Sequence, residues 1–240
     1  MSGAASTELI VALDVDSLAG AERLLDQLEG AVRHYKIGSQ LFTACGPAAV
    51  EAVRKRGGEV FLDLKFHDIP NTVAAAAAEA VRMGVFMFNV HASGGVAMMQ
   101  AGAEAAADTA ARLTVRRPLL IAVTVLTSLD AAALQRELGV AAAVEDHVLH
   151  LSALAREAGL DGTVASPQET RAIRTHHGPG WVIVTPGVRP EGAARQDQQR
   201  VSTPAAAARA GASFLVVGRP VTAAPEPAAV AQAILREIVA

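Results

Sequence analysis

Apolar residues come along this chain in short runs, and the stretches between the runs carry helical spacing. The run Leu9-Ile10-Val11-Ala12-Leu13 has the length of a buried strand and stops at Asp14. Ser17 then stands where a side-chain oxygen caps a helix, and Leu18, Ala21, Leu24, Leu25 and Leu28 recur on one face until Gly30 ends it. The same strand-then-helix unit restarts at Tyr35 to Gly38, Glu59 to Lys65 and Met87 to Ala92. Further strands are predicted at Leu119 to Val125, Gly162 to Ala165, Trp181 to Thr185 and Phe214 to Val217. Pro70 suits the first turn of the helix after the third strand, and Gly84 falls just past its end. A last helix after Pro227 turns Val230, Ala233, Ile234 and Ile238 inward.

Eight such units in 240 residues, with no linker, internal repeat or heptad, predict an α/β chain folded as one (β/α)8 TIM barrel over residues 1–240. Residues 1–8 read as a flexible N-terminal extension. One long irregular stretch, Gly187 to Thr203, is rich in Arg, Gln and Asp, and loops of that length in a compact domain are functional or disordered. Hydrophobic residues at 51% and charged residues at 19% exclude a disordered chain. Much of the apolar excess is alanine, and the runs at 74–78 and 205–208 read as small helix-forming surface. With 21 Lys and Arg against 24 Asp and Glu, the net charge of -3 leaves no basic field for a polyphosphate backbone, so no nucleic-acid partner is expected. The single cysteine, Cys45, permits no intrachain disulfide and suits a reducing cytoplasm. Neither a secretory leader nor a spanning apolar stretch is visible, so no membrane association is expected.

The strongest chemical signal is the segment Phe61-Leu62-Asp63-Leu64-Lys65-Phe66-His67-Asp68-Ile69-Pro70-Asn71-Thr72. Strand alternation puts Asp63 and Lys65 on one face and Leu62, Leu64 and Phe66 on the other. A carboxylate and an ammonium then project together at the C-terminal end of a barrel strand, where such barrels carry their chemistry. Taken alone, an Asp-x-Lys pair is more often a structural ion pair. Burying both charges without a task is costly, however, and a third charge, Asp68, follows where the chain turns into a helix, so the group reads as a proton-transfer site.

These residues closely resemble the signature of the orotidine 5'-phosphate decarboxylase family, particularly its bacterial form. The resemblance continues at Ala12-Leu13-Asp14, Lys36-Ile37-Gly38, Asn89-Val90-His91-Ala92-Ser93-Gly94-Gly95, Val123-Thr124-Val125-Leu126-Thr127-Ser128, Val184-Thr185-Pro186-Gly187-Val188-Arg189-Pro190 and Gly218-Arg219-Pro220-Val221-Thr222. It implies conversion of orotidine 5'-monophosphate to uridine 5'-monophosphate and CO2, the last step of pyrimidine nucleotide synthesis, with no metal and no organic cofactor. It also implies a cytoplasmic homodimer with shared active sites. Lys65 becomes the cation and proton donor, Asp63 its positioning carboxylate, and Asp68 and Thr72 reach the site of the neighbouring subunit. Asp14 and Lys36 carry over as ribose contacts and Thr127 as a contact to the pyrimidine. Gly218, Arg219, Arg189 and Gln198 carry over as the phosphate grip, with the long loop closing over substrate.

Two alternatives stay open. A related sugar-phosphate barrel, such as a Mg-dependent keto-gulonate phosphate decarboxylase, also uses an Asp-x-Lys-x-x-Asp pattern, although Phe66-His67 and Pro70-Asn71-Thr72 favour the pyrimidine enzyme. A catalytically silent nucleotide-binding barrel would have no need of so costly a charge group. His67 and His91 can be drawn with Asp63 and Asp68 as a metal cluster, but no close-spaced His pair or thiol supports one, and structural histidines are expected.

Overall fold

The computed structural model describes residues 7–189 and 202–239. Strands β1 (Glu8–Ala12), β2 (His34–Gly38), β3 (Glu59–Phe66) and β4 (Met87–His91) run side by side in chain order. They are followed by β5 (Leu119–Val123), β6 (Gly162–Val164), β7 (Val182–Thr185) and β8 (Phe214–Val217). All neighbours are parallel, and β8 pairs back onto β1, so the sheet is a closed eight-stranded barrel. The helices on its outside are α1 (Leu18–Gln27), α2 (Ser39–Cys45), α3 (Pro47–Lys55), α4 (Pro70–Arg82), α5 (Val96–Leu113) and α6 (Ala131–Arg136). The circuit continues with α7 (Val144–Glu157), α8 (Thr170–His177), α9 (Pro204–Arg209), α10 (Arg219–Thr222) and α11 (Pro227–Val239). The chain is a (β/α)8 TIM barrel.

Local chemistry accounts for the element ends. The Ser17 side chain accepts the Gly20 N–H at 3.3 Å and starts α1, as its position predicts. Pro70 begins α4, and Gly84, at φ +68°, takes the chain out of it in a conformation that a Cβ disfavours. Gly162 is required for a different reason: a Cβ there would lie 2.1 Å from the Val182 carbonyl oxygen, so β6 and β7 approach more closely than alanine permits. Strand β1 begins at Glu8, and the Thr7 hydroxyl donates to the Ala212 carbonyl at 2.7 Å. Residues 7 and 8 therefore belong to the barrel wall rather than to an extension, while residues 1–6 lie outside the described residues.

Alternation along the strands divides the core in two. Outward side chains such as Val11, Leu62 and Phe88 meet the helix layer, and inward ones fill the barrel with Ile10, Ala12, Phe61, Met87, Ile121, Val184, Phe214 and Val216. Two expectations from the sequence change. Ala77 and Ala207, in the runs read as surface, are fully buried, because small residues let a helix lie close to its neighbours. Gly102 of α5 shows the same packing, its Cβ position lying 3.4 Å from Val73 of α4. In α11 the inward residues are Pro227, Ala231 and Ile234, while Ala233 faces solvent.

At the N-terminal end of the barrel His34 has almost no exposure. Its Nε2 lies 3.1 Å from Glu59 and its Nδ1 3.4 Å from Glu8, and its ring packs against Phe86 and Phe214. Burial pushes its pKa below the usual histidine value, against the pull of Glu8 and Glu59. At the end of α8 His177 stacks on the buried Trp181 at 4.7 Å and shares a 2.8 Å hydrogen bond with the Ser152 hydroxyl. Burial, then the neighbouring His176 and Arg156, pushes His177 down to about 4.

A histidine whose folded pKa is depressed takes up its proton more readily in the unfolded chain. Its contribution to stability is therefore present above about 6.5, the unfolded value, and is lost as pH falls toward about 4. Thermal melting should show a stability loss between pH 6.5 and 4, and His177→Gln, which retains a partner for Ser152, should reduce that loss. Identical pH dependence in the two proteins would remove His177 as a cause.

Candidate active site

In a closed parallel barrel all eight strands deliver their C-terminal ends to one rim. Here the rim encloses a cavity of about 270 Å³. Asp14 reaches it from just beyond β1, Lys36 from β2, and Asp63 and Lys65 from β3. Thr127 enters from the loop after β5, Arg189 from the segment after β7, and Gly218 and Arg219 from the start of α10 after β8. Val123, Val125, Val164, Val184 and Val216 supply apolar wall between these polar groups.

The charges in the cavity form a row of alternating sign. The Lys36 ammonium donates to Asp14 Oδ1 at 2.9 Å and lies 3.4 Å from Asp63 Oδ2; the other Asp63 oxygen accepts from the Lys65 ammonium at 2.7 Å. Side-chain exposure is 11% for Lys36, 13% for Asp63 and 33% for Lys65, so the inner members are the more deeply held. The two inner charges, Lys36 and Asp63, each have opposite charge on both sides. Lys65 ends the row against the cavity.

Alternation places Asp63 and Lys65 on the same side of β3, as the sequence predicts, but the backbone reaches that arrangement through an irregularity. The β3–β4 register shifts between Leu62 and Phe66, and Lys65 sits at φ +53°. For a residue with a Cβ this left-handed conformation costs about 1–2 kcal/mol. The Lys65 N–H, lifted out of the ladder, donates instead to Asn89 Oδ1 at 2.8 Å, and Asn89 Nδ2 donates to Asp63 Oδ1 at 2.7 Å. Hydrogen bonds to charged groups are worth about 1.5–3 kcal/mol, enough to offset the strain.

Asn89 is a site residue that the sequence reading quoted only within a motif. Its signal was present: β4 alternates Met87, Asn89 and His91 inward, and Asn89 is a polar group on that inward face at 1% exposure. His91 follows it at the rim, with its ring 5.4 Å from that of His67. Burial first, then His67 and Lys65, lowers the His91 pKa, with Asp63 opposing. Among the described residues no group of three potential ligands is arranged around a metal position.

Of the predicted site residues, Asp14, Lys36, Asp63, Lys65, Thr127, Arg189, Gly218 and Arg219 meet in this one cavity. Asp68 and Thr72 do not line it. Asp68 is exposed beyond β3, its carboxylate accepting the Ile69 N–H at 2.7 Å; Thr72 is exposed in the first turn of α4, and the intervening Ile69 is 67% exposed. Gln198 lies outside the described residues.

The family model described as "Orotidine 5'-phosphate decarboxylase / HUMPS family" matches residues 7–234. A protein of Moorella thermoacetica named orotidine 5'-phosphate decarboxylase is 60% identical over 98% of this chain and 93% of its own length. One of the same name from Syntrophotalea carbinolica is 55% identical over 98% of this chain and 96% of its own. The solved structure of orotidine 5'-phosphate decarboxylase from Lactobacillus acidophilus superposes with a TM-score of 0.87 at 34% identity, covering 98% of this chain and 100% of that one.

Gly38 tests the tightness of the charged row. A Cβ there would come within 2.9 Å of the Lys36 ammonium and 3.5 Å of Asp14 Oδ1, while the backbone at φ -94° accepts any residue. Gly38→Ala should therefore fold with a melting temperature within a few degrees of the parent, and its crystal structure should show the Lys36 ammonium displaced. An ammonium still within hydrogen-bond distance of Asp14 and close to Asp63 would show that the row has slack.

Proposed function

The chain belongs to the orotidine 5'-phosphate decarboxylase / HUMPS family, and from that membership and its cavity we propose that it converts orotidine 5'-monophosphate to uridine 5'-monophosphate and CO2 without metal or organic cofactor. The observation that carries this reading is the Lys65 ammonium, held 2.7 Å from Asp63 in the cavity that Gly218, Arg219 and Arg189 also line. One cavity thus offers a proton donor and an anion grip together.

Loss of CO2 breaks the bond from C6 of the pyrimidine to the carboxylate and leaves the electron pair on C6, in the ring plane, where delocalisation helps little. A fixed cation beside C6 stabilises that charge and then protonates it. Lys65 serves both steps, and the resulting amine recovers its proton from solvent. Arginine could not replace it, because a guanidinium does not give up its proton at ordinary pH. Asp63 holds the Lys65 ammonium beside the reacting carbon. Asp14 and Lys36 take the ribose, Thr127 the pyrimidine, and Arg219, Arg189 and the backbone at Gly218 the phosphate, with Gln198 assigned by family resemblance alone.

Asp68 and Thr72 lie exposed outside their own cavity, which is the placement expected of residues that complete a neighbouring site; the working form in this reading is a cytoplasmic homodimer. No helix among the described residues is long and apolar enough to cross a membrane.

Purified protein in EDTA should deplete the orotate-ring absorbance of orotidine 5'-monophosphate. Absence of turnover that Mg²⁺ then restores would point instead to a metal-dependent sugar-phosphate barrel. Lys65→Ala should fold but lose several orders of magnitude in turnover, and a rate within about tenfold of the parent would remove Lys65 from its role. Mixing inactive Lys65→Ala and Asp68→Ala chains should restore activity, because one site of a mixed dimer receives both residues. No recovery despite demonstrated subunit exchange would place Asp68 in its own chain's site.

With a substrate lacking phosphate, added phosphite should accelerate the parent and accelerate Arg219→Ala far less. Equal acceleration of both would take Arg219 out of the phosphate grip.

A further inference from the structure

Asn89 touches no part of the cavity that a substrate would occupy, yet it joins the two residues on which the proposed chemistry depends. Its amide oxygen accepts the Lys65 backbone N–H at 2.8 Å, and its amide nitrogen donates to Asp63 Oδ1 at 2.7 Å. The orientation is determined by its partners: a backbone N–H needs an acceptor and a carboxylate needs a donor, so a flipped amide would satisfy neither. The backbone it braces is the irregular one, where the β3–β4 register shifts and Lys65 adopts φ +53°. At 1% exposure, water has no ready access to replace these contacts.

Resting on the decarboxylase reading above, we propose that Asn89 is a positioning residue for the reaction: a two-point clamp that fixes the strained Lys65 backbone and aims the Asp63 carboxylate, so that the Lys65 ammonium is delivered to the reacting carbon. The clamp bonds directly to the reacting end and meets the binding residues only through the 3.4 Å approach of Lys36 to the other Asp63 oxygen. The described residues assigned to ribose and phosphate come from just beyond β1, from β2 and from the rim beyond β7 and β8, and among the described residues Asn89 bonds to none of them. Loss of the clamp should therefore lower kcat while leaving KM nearly unchanged, a separation that general destabilisation does not produce.

Two variants divide the clamp. Asn89→Ala removes both contacts. Asn89→Asp keeps the acceptor for Lys65 and replaces the donor to Asp63 with a second carboxylate, so that a proton must be shared between the two for the contact to survive. The charged and titratable groups around this point are Asp63 and Lys65 of β3, Lys36 of β2, Asp14 beyond β1, and His91 and His67 at the rim. All of these are present in parent and variant alike, so the pH dependence of the variant-to-parent ratio of kcat reports the new carboxylate together with its coupling to Asp63 and Lys65.

The experiment measures kcat and KM for orotidine 5'-monophosphate across pH with the parent and both variants, their folding checked by thermal melting. Asn89→Ala is expected to lose about a hundredfold in kcat with KM within about threefold, the scale of effect for a small misplacement of reacting groups. For Asn89→Asp the kcat ratio should rise as pH falls, when the shared proton restores the donor, and should drop as pH rises. The proposal is overturned by a kcat for Asn89→Ala within about threefold of the parent, by a loss expressed in KM alone, or by a pH-independent ratio for Asn89→Asp. If Asn89→Ala does not fold, the isosteric Asn89→Asp decides the matter through its pH profile. If the parent itself does not turn over this nucleotide, the functional reading fails separately. The clamp is then judged by a crystal structure of Asn89→Asp at high pH, in which the Lys65–Asp63 contact should be broken; an intact contact would overturn it.

Discussion

Four charges of alternating sign, Asp14, Lys36, Asp63 and Lys65, stand within hydrogen-bond or near-contact distance of one another in a half-buried cavity, and their mutual compensation constrains the rest of the design. An ion pair about 4 Å apart at an effective dielectric constant of about 20 gains roughly 4 kcal/mol. Taking the two inner ions, Lys36 and Asp63, out of water costs several kcal/mol each, so the centre of the row depends on exact geometry. Adjacent parallel strands supply that exactness. The row follows the order β1, β2, β3 around the barrel: Asp14 stands just beyond β1, and Lys36 and the residues of β3 lie in strands whose register is set by their neighbours.

The apolar filling of the barrel separates this row from a second polar cluster at the opposite end. His34, Glu8 and Glu59 meet at the N-terminal mouth, and Ile10, Phe61, Met87, Ile121 and Val184 form a water-excluding layer between the two clusters. That layer keeps the dielectric low beneath the cavity. The same closed sheet can absorb the irregularity at Lys65: with parallel neighbours on both sides and no free edge, a local register shift is confined to a few residues, and Asn89 satisfies the N–H that the ladder releases.

Most of this architecture is legible in the sequence because its dominant signal is periodicity. Each predicted strand coincides with an observed one to within one or two residues, and the helix cap at Ser17, the start at Pro70 and the exit at Gly84 follow from local chemistry that needs no tertiary context. Alternation also put Asp63 and Lys65 on one face. It could not show the register shift or the left-handed Lys65, since these arise from the fit of β3 against β4. Asn89 was hidden for a related reason: a single polar residue in a strand gains meaning only when its cross-strand partners are known. Ala77, Ala207 and Ala233 went astray because alanine carries too little hydrophobic contrast to mark which face of a helix turns inward.

The row also distinguishes its two lysines, which composition and motif alone do not. Lys36 lies between two carboxylates, at 2.9 Å and 3.4 Å, and is 11% exposed, so it bridges both acidic neighbours. Among the described residues the ion-pair partner of Lys65 is Asp63 alone, and the same Asp63 oxygen also accepts from Asn89. Asp63 thus has a second donor on that oxygen and Lys36 beside the other. Of the two ammonium groups, Lys65 is the terminal one, at the open end of the row and 33% exposed. That asymmetry separates a cation held between two carboxylates from one at the open end of the row, and it follows from where each lysine stands in an alternating sequence of charges.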